Sequence, residues 1–273
     1  MIPIWKKNAT DRLTELLCTR SFPIQNPKSK IQNGMIFNQS EFDLRCEWGD
    51  HGVTQLAPIS DVVVIVDVLS FSTSVEIATN NGAIIFPYEW KDESALDYAK
   101  SLQAQLAGDR TSKNSYSLSP TSLTKIPTGT KLVLPSPNGS FLSLQTGKTP
   151  TLAGCLRNCQ AVAEFAQKYG SKIAVIPAGE RWEDGTLRPA CEDLIGAGAI
   201  LSQLNGSFSP EAEIAVSAFH AVKKNLLAYF KKCSSGKELI ARGFESDVEI
   251  AAALNVSDCV PLFVKNAYVK QVM

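Results

Sequence analysis

The chain has 273 residues, 44% hydrophobic and 20% charged, an ordinary balance for a globular protein long enough to bury roughly three-quarters of its unfolded surface. Its 27 Lys and Arg residues equal its 27 Asp and Glu, which removes the overall field that would draw nucleic acid or an anionic membrane. Seven cysteines without a CxxC pair, and only two histidines, argue against a zinc or iron–sulfur centre and for reduced thiols in a cytoplasmic protein, and no apolar run approaches the ~20 residues of a membrane span.

The opening segment, MIPIWKKNATDRLTELLCTR, is too polar for a secretory signal. Residues 1–34 mix Pro, Asn, Lys and Ser without sustained periodicity and are expected to form a poorly ordered N-terminal extension. Residues 35–273 read as an α/β domain, beginning with the strand-like stretch IFNQSEFDLRCEW. DVVVIVD (61–67) predicts a buried strand, followed by a short helix over 73–80 that Asn81-Gly82 ends. AIIFPY (83–88) predicts a second strand, and the apolar spacing of Ala95, Tyr98, Ala99, Leu102 and Leu106 predicts a helix over 92–106. Residues 109–130 are rich in Ser, Thr and Lys and read as a long loop.

KLVLP (131–135) and TLAGC (151–155) predict further strands, the second running into a helix capped by Asn158. KIAVIPAG (172–179) is another strand, joined by an irregular loop to a helix over 191–204 in which Gly196 and Gly198 permit close packing. Ser209-Pro210 opens an amphipathic helix expected to reach Lys231. Ser235 with Glu238, and Ser246 with Glu249, have capping-box spacing, and CVPLFV (259–264) is the last strand. Strands alternating with helices, without an internal repeat, predict a three-layer α/β/α fold around a mainly parallel or mixed sheet.

Loops after the strands of open α/β sheets are where ligands bind. Four of them carry polar residues that a fold alone does not demand: Asp67 to Thr73 with Ser70 and Ser72; Ser136 to Ser140 with Asn138 and Gly139; Cys155 to Asn158 with Arg157; and 178–193 with Glu180, Arg181, Arg188, Glu192 and Asp193. Helix N-termini and arginine favour anions, above all phosphate. Clustered carboxylates with few histidines favour a hard cation such as Mg²⁺. Together they point to a small phosphate ester handled with a metal. Each part also has a structural explanation: Ser72 and Thr73 as helix caps, Asp67 accepting backbone N–H groups at a strand end, Glu192 and Asp193 complementing a helix dipole. No Cys-x5-Arg loop, no Asp-x-Asp at Asp67 and no Arg-His-Gly occurs, and SSGKEL (234–239) lacks the upstream Gly and the following hydroxyl of a nucleotide P-loop.

The blocks VDVLSFSTSVEIATNNGA, PSPNGS, GCLRNCQAVAEFA, AGERWEDGTLRPACEDLIGAGAI and GKELIARGFESDVEIAAALNVSDCVPLF, in this order over residues 42–265, resemble the 2-phosphosulfolactate phosphatase family. The resemblance implies a Mg²⁺-dependent α/β phosphatase that converts 2-phosphosulfolactate to 3-sulfolactate and phosphate, a step of coenzyme M biosynthesis. This chain departs from the family pattern at Ser70, where an arginine is usual, and at Ala107-Gly108-Asp109-Arg110, where Gly-Gly-Glu-Arg is usual; Ser136-Pro137-Asn138-Gly139-Ser140 replaces a Thr-Thr-Asn-Gly-Thr stretch. Arg181 and Arg188 are expected to replace the charge lost at Ser70.

The expected chemistry is hydrolysis of a phosphate monoester with Mg²⁺ held by Asp67 and Asp193, and more weakly by Glu192. Arg157, Asn138 and the amides near Ser72 and Thr73 are expected to take the phosphoryl oxygens, with Asp109 or Glu180 protonating the leaving alkoxide. A phosphoserine route through Ser70 or Ser72 stays open, as does homo-oligomerisation. A phosphatase for a different small phospho-acid, and a non-catalytic anion sensor on the same fold, are the alternatives.

Overall fold

Every residue of the run Val62–Val66 is β-branched and every one is fully buried, so this segment has no solvent face. It is the second strand of the computed structural model, which describes residues 37–90, 92–112 and 115–271. The expectation for residues 1–34 lies outside the described residues. The strands are β1 (Leu44–Cys46), β2 (Val62–Val66), β3 (Ile84–Tyr88), β4 (Gln105–Leu106), β5 (Lys131–Pro135), β6 (Thr151–Gly154), β7 (Ile173–Pro177), β8 (Glu180–Arg181), β9 (Leu187–Arg188), β10 (Val260–Val264) and β11 (Ala267–Gln271). The helices are α1 (Gly49–Leu56), α2 (Phe71–Asn80), α3 (Glu93–Leu102), α4 (Pro120–Leu123), α5 (Gly139–Gln145), α6 (Cys159–Ala166), α7 (Cys191–Leu201), α8 (Pro210–Val222), α9 (Leu226–Phe230), α10 (Ser234–Ala241) and α11 (Glu245–Ala251).

Among the described residues nine strands form one mixed sheet in the order β1-β7-β2-β6-β10-β11-β3-β5-β4, and β8 pairs with β9 as a separate antiparallel ribbon. The block β1-β7-β2-β6 is parallel, as is β3-β5-β4, and the antiparallel hairpin β10-β11 joins them. Helices cover both faces, because alternate residues of one strand enter different cores. Val62, Val64 and Val66 pack with apolar residues of α6, α7 and α8, whereas Val63 and Ile65 pack with Val53 and Leu56 of α1 and Leu142 of α5. In the second block, Ile85, Leu132 and Leu134 meet Val75 and Ala78 of α2, while Phe86 and Val133 meet Ala99 of α3. The expected three-layer α/β architecture is therefore the one observed. Gly198 brings α7 against α8 so closely that a Cβ there would stand 1.9 Å from the Ala215 carbonyl oxygen, and a Cβ on Gly196 would meet the Val68 side chain at 2.6 Å.

Several local expectations give way to backbone detail. The helix expected over 92–106 stops at Leu102, where Gln103 turns left-handed (φ 52°), and Gln105–Leu106 instead form the edge strand β4. The 109–130 loop contains α4, whose first residue is Pro120. The helix expected to reach Lys231 breaks after Val222; Asn225 takes non-helical angles and starts the separate helix α9. Among the described residues of the strand-like 36–48 stretch, only Leu44–Cys46 join the sheet.

Neither capping box forms. Cys233 holds the N-cap of α10, its sulfur accepting from Gly236 N at 3.3 Å, and Phe244 precedes α11 with no side-chain cap. Asn158 stands at the start of α6, but its side-chain carbonyl accepts from Cys155 N (2.9 Å) rather than from the helix amides.

Candidate active site

The segments that follow β2, β5 and β7 are tied together by carboxylates. Asp67, at the end of β2, is 6% exposed; its Oδ1 accepts from Phe71 N at 2.9 Å and its Oδ2 from Gly139 N at 3.0 Å. One side chain thus closes the first turn of α2 and draws in the start of α5. Asp193, in the first turn of α7, does the same behind it: Oδ1 accepts from Val68 N (2.7 Å) and Oδ2 from Gly179 N (2.9 Å). Gly139 permits this approach for a reason other than ligand access, since a Cβ there would lie 2.2 Å from the Phe71 ring.

A cleft of about 190 Å³ opens above Asp67. Ser70, Arg110, Ser136, Asn138, Glu180 and Arg242 are among the residues that line it with Asp67, and Ser235, Glu238 and Leu239 of α10 form its far wall. Asn138 Nδ2 donates to Glu180 Oε2 at 2.9 Å, which joins the segments after β5 and β7. Arg110 donates from Nη2 to Ser70 Oγ (2.7 Å) and from Nη1 to the buried Asp247 (2.7 Å). Asp247 also accepts from Ser119 Oγ, Thr121 N and Thr121 Oγ1, so the guanidinium is aimed by a fully occupied carboxylate. The Phe244 ring lies 5.7 Å from the Arg110 guanidinium carbon and 5.8 Å from that of Arg242, bringing both cations to one ring at the cleft wall.

The cleft continues into a hollow of about 440 Å³ lined by Trp90, Asp109, Arg110 and Arg242 among others. A third hollow, about 210 Å³, shares Asn138 and Glu180 and adds His51 and Arg181.

Burial raises the Asp67 carboxyl above its ordinary range against the lowering effect of its two amide donors. Burial, then the charges of Asp67 and Glu192, raise Asp193 well above it. Glu180 is pushed up to about 8 by burial first and by Asp67 and Glu192 next. A cluster that resists carrying all its negative charge is one that a cation relieves. Asp67 presents hard oxygens at the cleft, and Mg²⁺ needs only one or two carboxylates beside water and substrate oxygens.

The Glu180 shift has a consequence for stability. Its folded value near 8 lies above the ordinary 4.5, so the folded protein binds the extra proton between those values. The contribution is complete below about 4.5 and is lost as pH rises through about 8. The melting temperature of cation-free protein is expected to fall between pH 6 and 9, and Glu180→Gln to flatten that slope, as scanning calorimetry checks.

Of the sequence-derived candidates, Asp67, Ser70, Ser136, Asn138 and Glu180 line the cleft, and Asp109 lines the adjoining hollow. Ser72 and Thr73 are fully buried: Ser72 Oγ donates to Ile65 O (2.9 Å) and accepts from Asp67 N (3.0 Å), and Thr73 Oγ1 donates to Val68 O (2.8 Å). Asp193 and Glu192 lie behind the cleft, 3% and 2% exposed. Arg157 is elsewhere: its Nε donates to the buried Glu76 at 2.6 Å, beside Asn80, Thr124 and Ile250. Arg181 donates to the carbonyl oxygens of Gly185 and Pro137 and lies over the Phe141 ring, while Arg188 reaches Ser235 Oγ at 3.4 Å and lies over Trp182.

Arg110, Arg242, Ser235 and Asp247 escaped the sequence reading. Their signal lies in three segments, Ala107–Arg110, SSGKEL and GKELIARGFESD, where Asp109 and the capping spacing of Ser235 with Glu238 are the features that the sequence offers first.

A sequence model described as 2-phosphosulpholactate phosphatase matches residues 51–266. The 2-phosphosulfolactate phosphatase of Methanothermobacter thermautotrophicus is 30% identical over 207 residues, covering 75% of this chain and 87% of the relative. A probable 2-phosphosulfolactate phosphatase of Carboxydothermus hydrogenoformans is 31% identical over 207 residues (73% and 84%), and one of Pseudothermotoga lettingae 24% over 221 residues (78% and 95%). The match spans the cleft from Asp67 to Asp247, and on it the chain belongs to the 2-phosphosulpholactate phosphatase family.

Proposed function

We propose that this cleft hydrolyses 2-phosphosulfolactate to 3-sulfolactate and phosphate, with Mg²⁺ as the cofactor. One observation carries the reading: two arginines and two carboxylates with raised pKa values line the same small cleft. The substrate carries a phosphate, a sulfonate and a carboxylate, so it needs cationic partners as well as a cation. Arg110 supplies charge at the hydroxyl of Ser70, the position where the family usually has an arginine. The usual Gly-Gly-Glu-Arg stretch also ends in arginine, so Arg110 is a charge this chain shares with the family pattern rather than a replacement for the one lost at Ser70, and neither Arg181 nor Arg188 lines the cleft.

Asp67 is the best-placed ligand for Mg²⁺, with Asp193 and Glu192 adding negative charge from behind. Bound there, Mg²⁺ would polarise the phosphoryl oxygens. Arg110 and Arg242 hold and orient the anionic groups, and the Asn138 amide, anchored on Glu180, faces the same space. Glu180, protonated near neutral pH, is suited to give its proton to the leaving alkoxide. Attack by water and attack by Ser70 are separated by trapping labelled phosphate on the protein.

The test is a panel of phosphorylated hydroxy acids assayed for phosphate release with Mg²⁺ and with a chelator. Mg²⁺-stimulated release, fastest for the substrate bearing both sulfonate and carboxylate, is expected. A preference for another phospho-acid would move the substrate assignment, and tight phosphate binding without release would make the protein an anion sensor.

A further inference from the structure

Behind the cleft, two cysteines 42 positions apart in sequence come together. Cys191 is the first residue of α7 and is solvent-exposed, and Cys233 is the buried N-cap residue of α10. Their sulfurs and a carboxylate oxygen of Glu192 all lie within 4.8 Å of one another. Cys191 Sγ lies 3.5 Å from Glu192 Oε2, and Cys233 Sγ donates to Phe230 O at 3.1 Å.

We propose that Cys191, Cys233 and Glu192 form a binding site for a thiophilic divalent cation of the zinc class. Two thiolates and one carboxylate supply three ligands of a tetrahedral site, leaving the fourth position to water through the exposed Cys191 side. Sulfur selects against Mg²⁺, which prefers the all-oxygen cleft. Binding forms two metal–sulfur bonds and one metal–oxygen bond and releases the two thiol protons to solvent, and Cys233 gives up its bond to Phe230 O. The N-termini of α7 and α10 oppose a bare cation but favour the thiolates that accompany it. Glu192 also adds its charge to Asp67, Glu180 and Asp193, so the surroundings are negative. A bound ion would tie α10, which carries Ser235 and Glu238 of the cleft wall, to the start of α7. The absence of CxxC spacing hid this pair, because it forms only when the two helix N-termini meet.

The proposal stands independently of the phosphatase reading. Reduced full-length protein, stripped of metal, is titrated with Co²⁺. One equivalent is expected to bind with a thiolate-to-cobalt charge-transfer band that Zn²⁺ abolishes and excess Mg²⁺ does not. Cys191→Ser and Cys233→Ser should each lose the band and weaken zinc binding by about a hundredfold or more. Serine at 233 keeps an oxygen for the Gly236 amide, and circular dichroism checks that both variants fold. Zinc should raise the melting temperature of the parent and not of Cys191→Ser. Absence of the band, its persistence in the double serine variant, or a Cys191–Cys233 disulfide in the freshly reduced protein would overturn the site. Mg²⁺-stimulated phosphate release by Cys191→Ser should match the parent, which separates this test from that of the cleft.

Discussion

Asp67→Asn is expected to lower the turnover number for Mg²⁺-stimulated phosphate release by about a thousandfold, the scale of losing one charge-stabilising group at a reacting phosphoryl centre. The isosteric amide keeps one oxygen for a backbone donor but turns an N–H₂ toward the other, either Phe71 N or Gly139 N. Stability should therefore fall as well, by about 1–2 kcal/mol for one buried amide left without an acceptor. The comparison with Asp193→Asn decides between the two jobs such a carboxylate can do. Asp193 has the same bracketing role, to Val68 N and Gly179 N, but does not line the cleft. Its variant should lose a similar amount of stability and much less turnover. Steady-state kinetics and urea unfolding on both variants check this, and an Asp67→Asn enzyme retaining a tenth or more of parental turnover would remove Asp67 from the chemistry.

Arg157→Ala is expected to cost about 3 kcal/mol of stability while leaving KM unchanged. Glu76 is fully buried in the middle of α2; Arg157 is its ion-pair partner at 2.6 Å, and Glu76 Oε1 has no hydrogen-bond partner. Removing the guanidinium leaves a buried carboxylate without its counter-charge, one of the few single changes that reach this size. Replacing both residues, Glu76→Gln with Arg157→Ala, should recover part of the loss, because no uncompensated charge then remains. A tenfold rise in KM with unchanged stability would instead return Arg157 to the substrate-binding role that its position before a helix suggested.

The elements of the fold were legible in the sequence wherever a periodic signal was long or a run was uniformly β-branched. Val62–Val66, the Leu132–Leu134 centre of β5 and Ile173–Pro177 are strands because their side chains fit nothing but a two-sided apolar environment, and that information is local. The breaks at Gln103 and Asn225 were illegible, since apolar spacing continues across both and only the backbone angles end the helix. From their place at strand ends Ser72 and Thr73 are expected as ligand contacts or helix caps, and Gly139 as a point of close approach to a ligand. They serve instead to fasten the turn after β2 and to seat α5 against Phe71.

The candidate site divides along the same line. Sequence alone determined that acids, hydroxyls and arginines follow the strands of an α/β protein, that the chain has no overall field for a polyanion, and that five ordered blocks resemble one phosphatase family. Tertiary structure alone decided which of these polar groups share a space. It set Arg110, Arg242 and the α10 wall around Asp67 and Glu180, sent Arg157 to Glu76, and joined Cys191 to Cys233. The reason is physical: a residue's type and spacing fix the element it can join, but the energy of a charged group depends on the dielectric and the counter-charges around it. Those come from segments as distant as residues 67, 110, 180 and 242, and only the order of strands in the sheet brings them together.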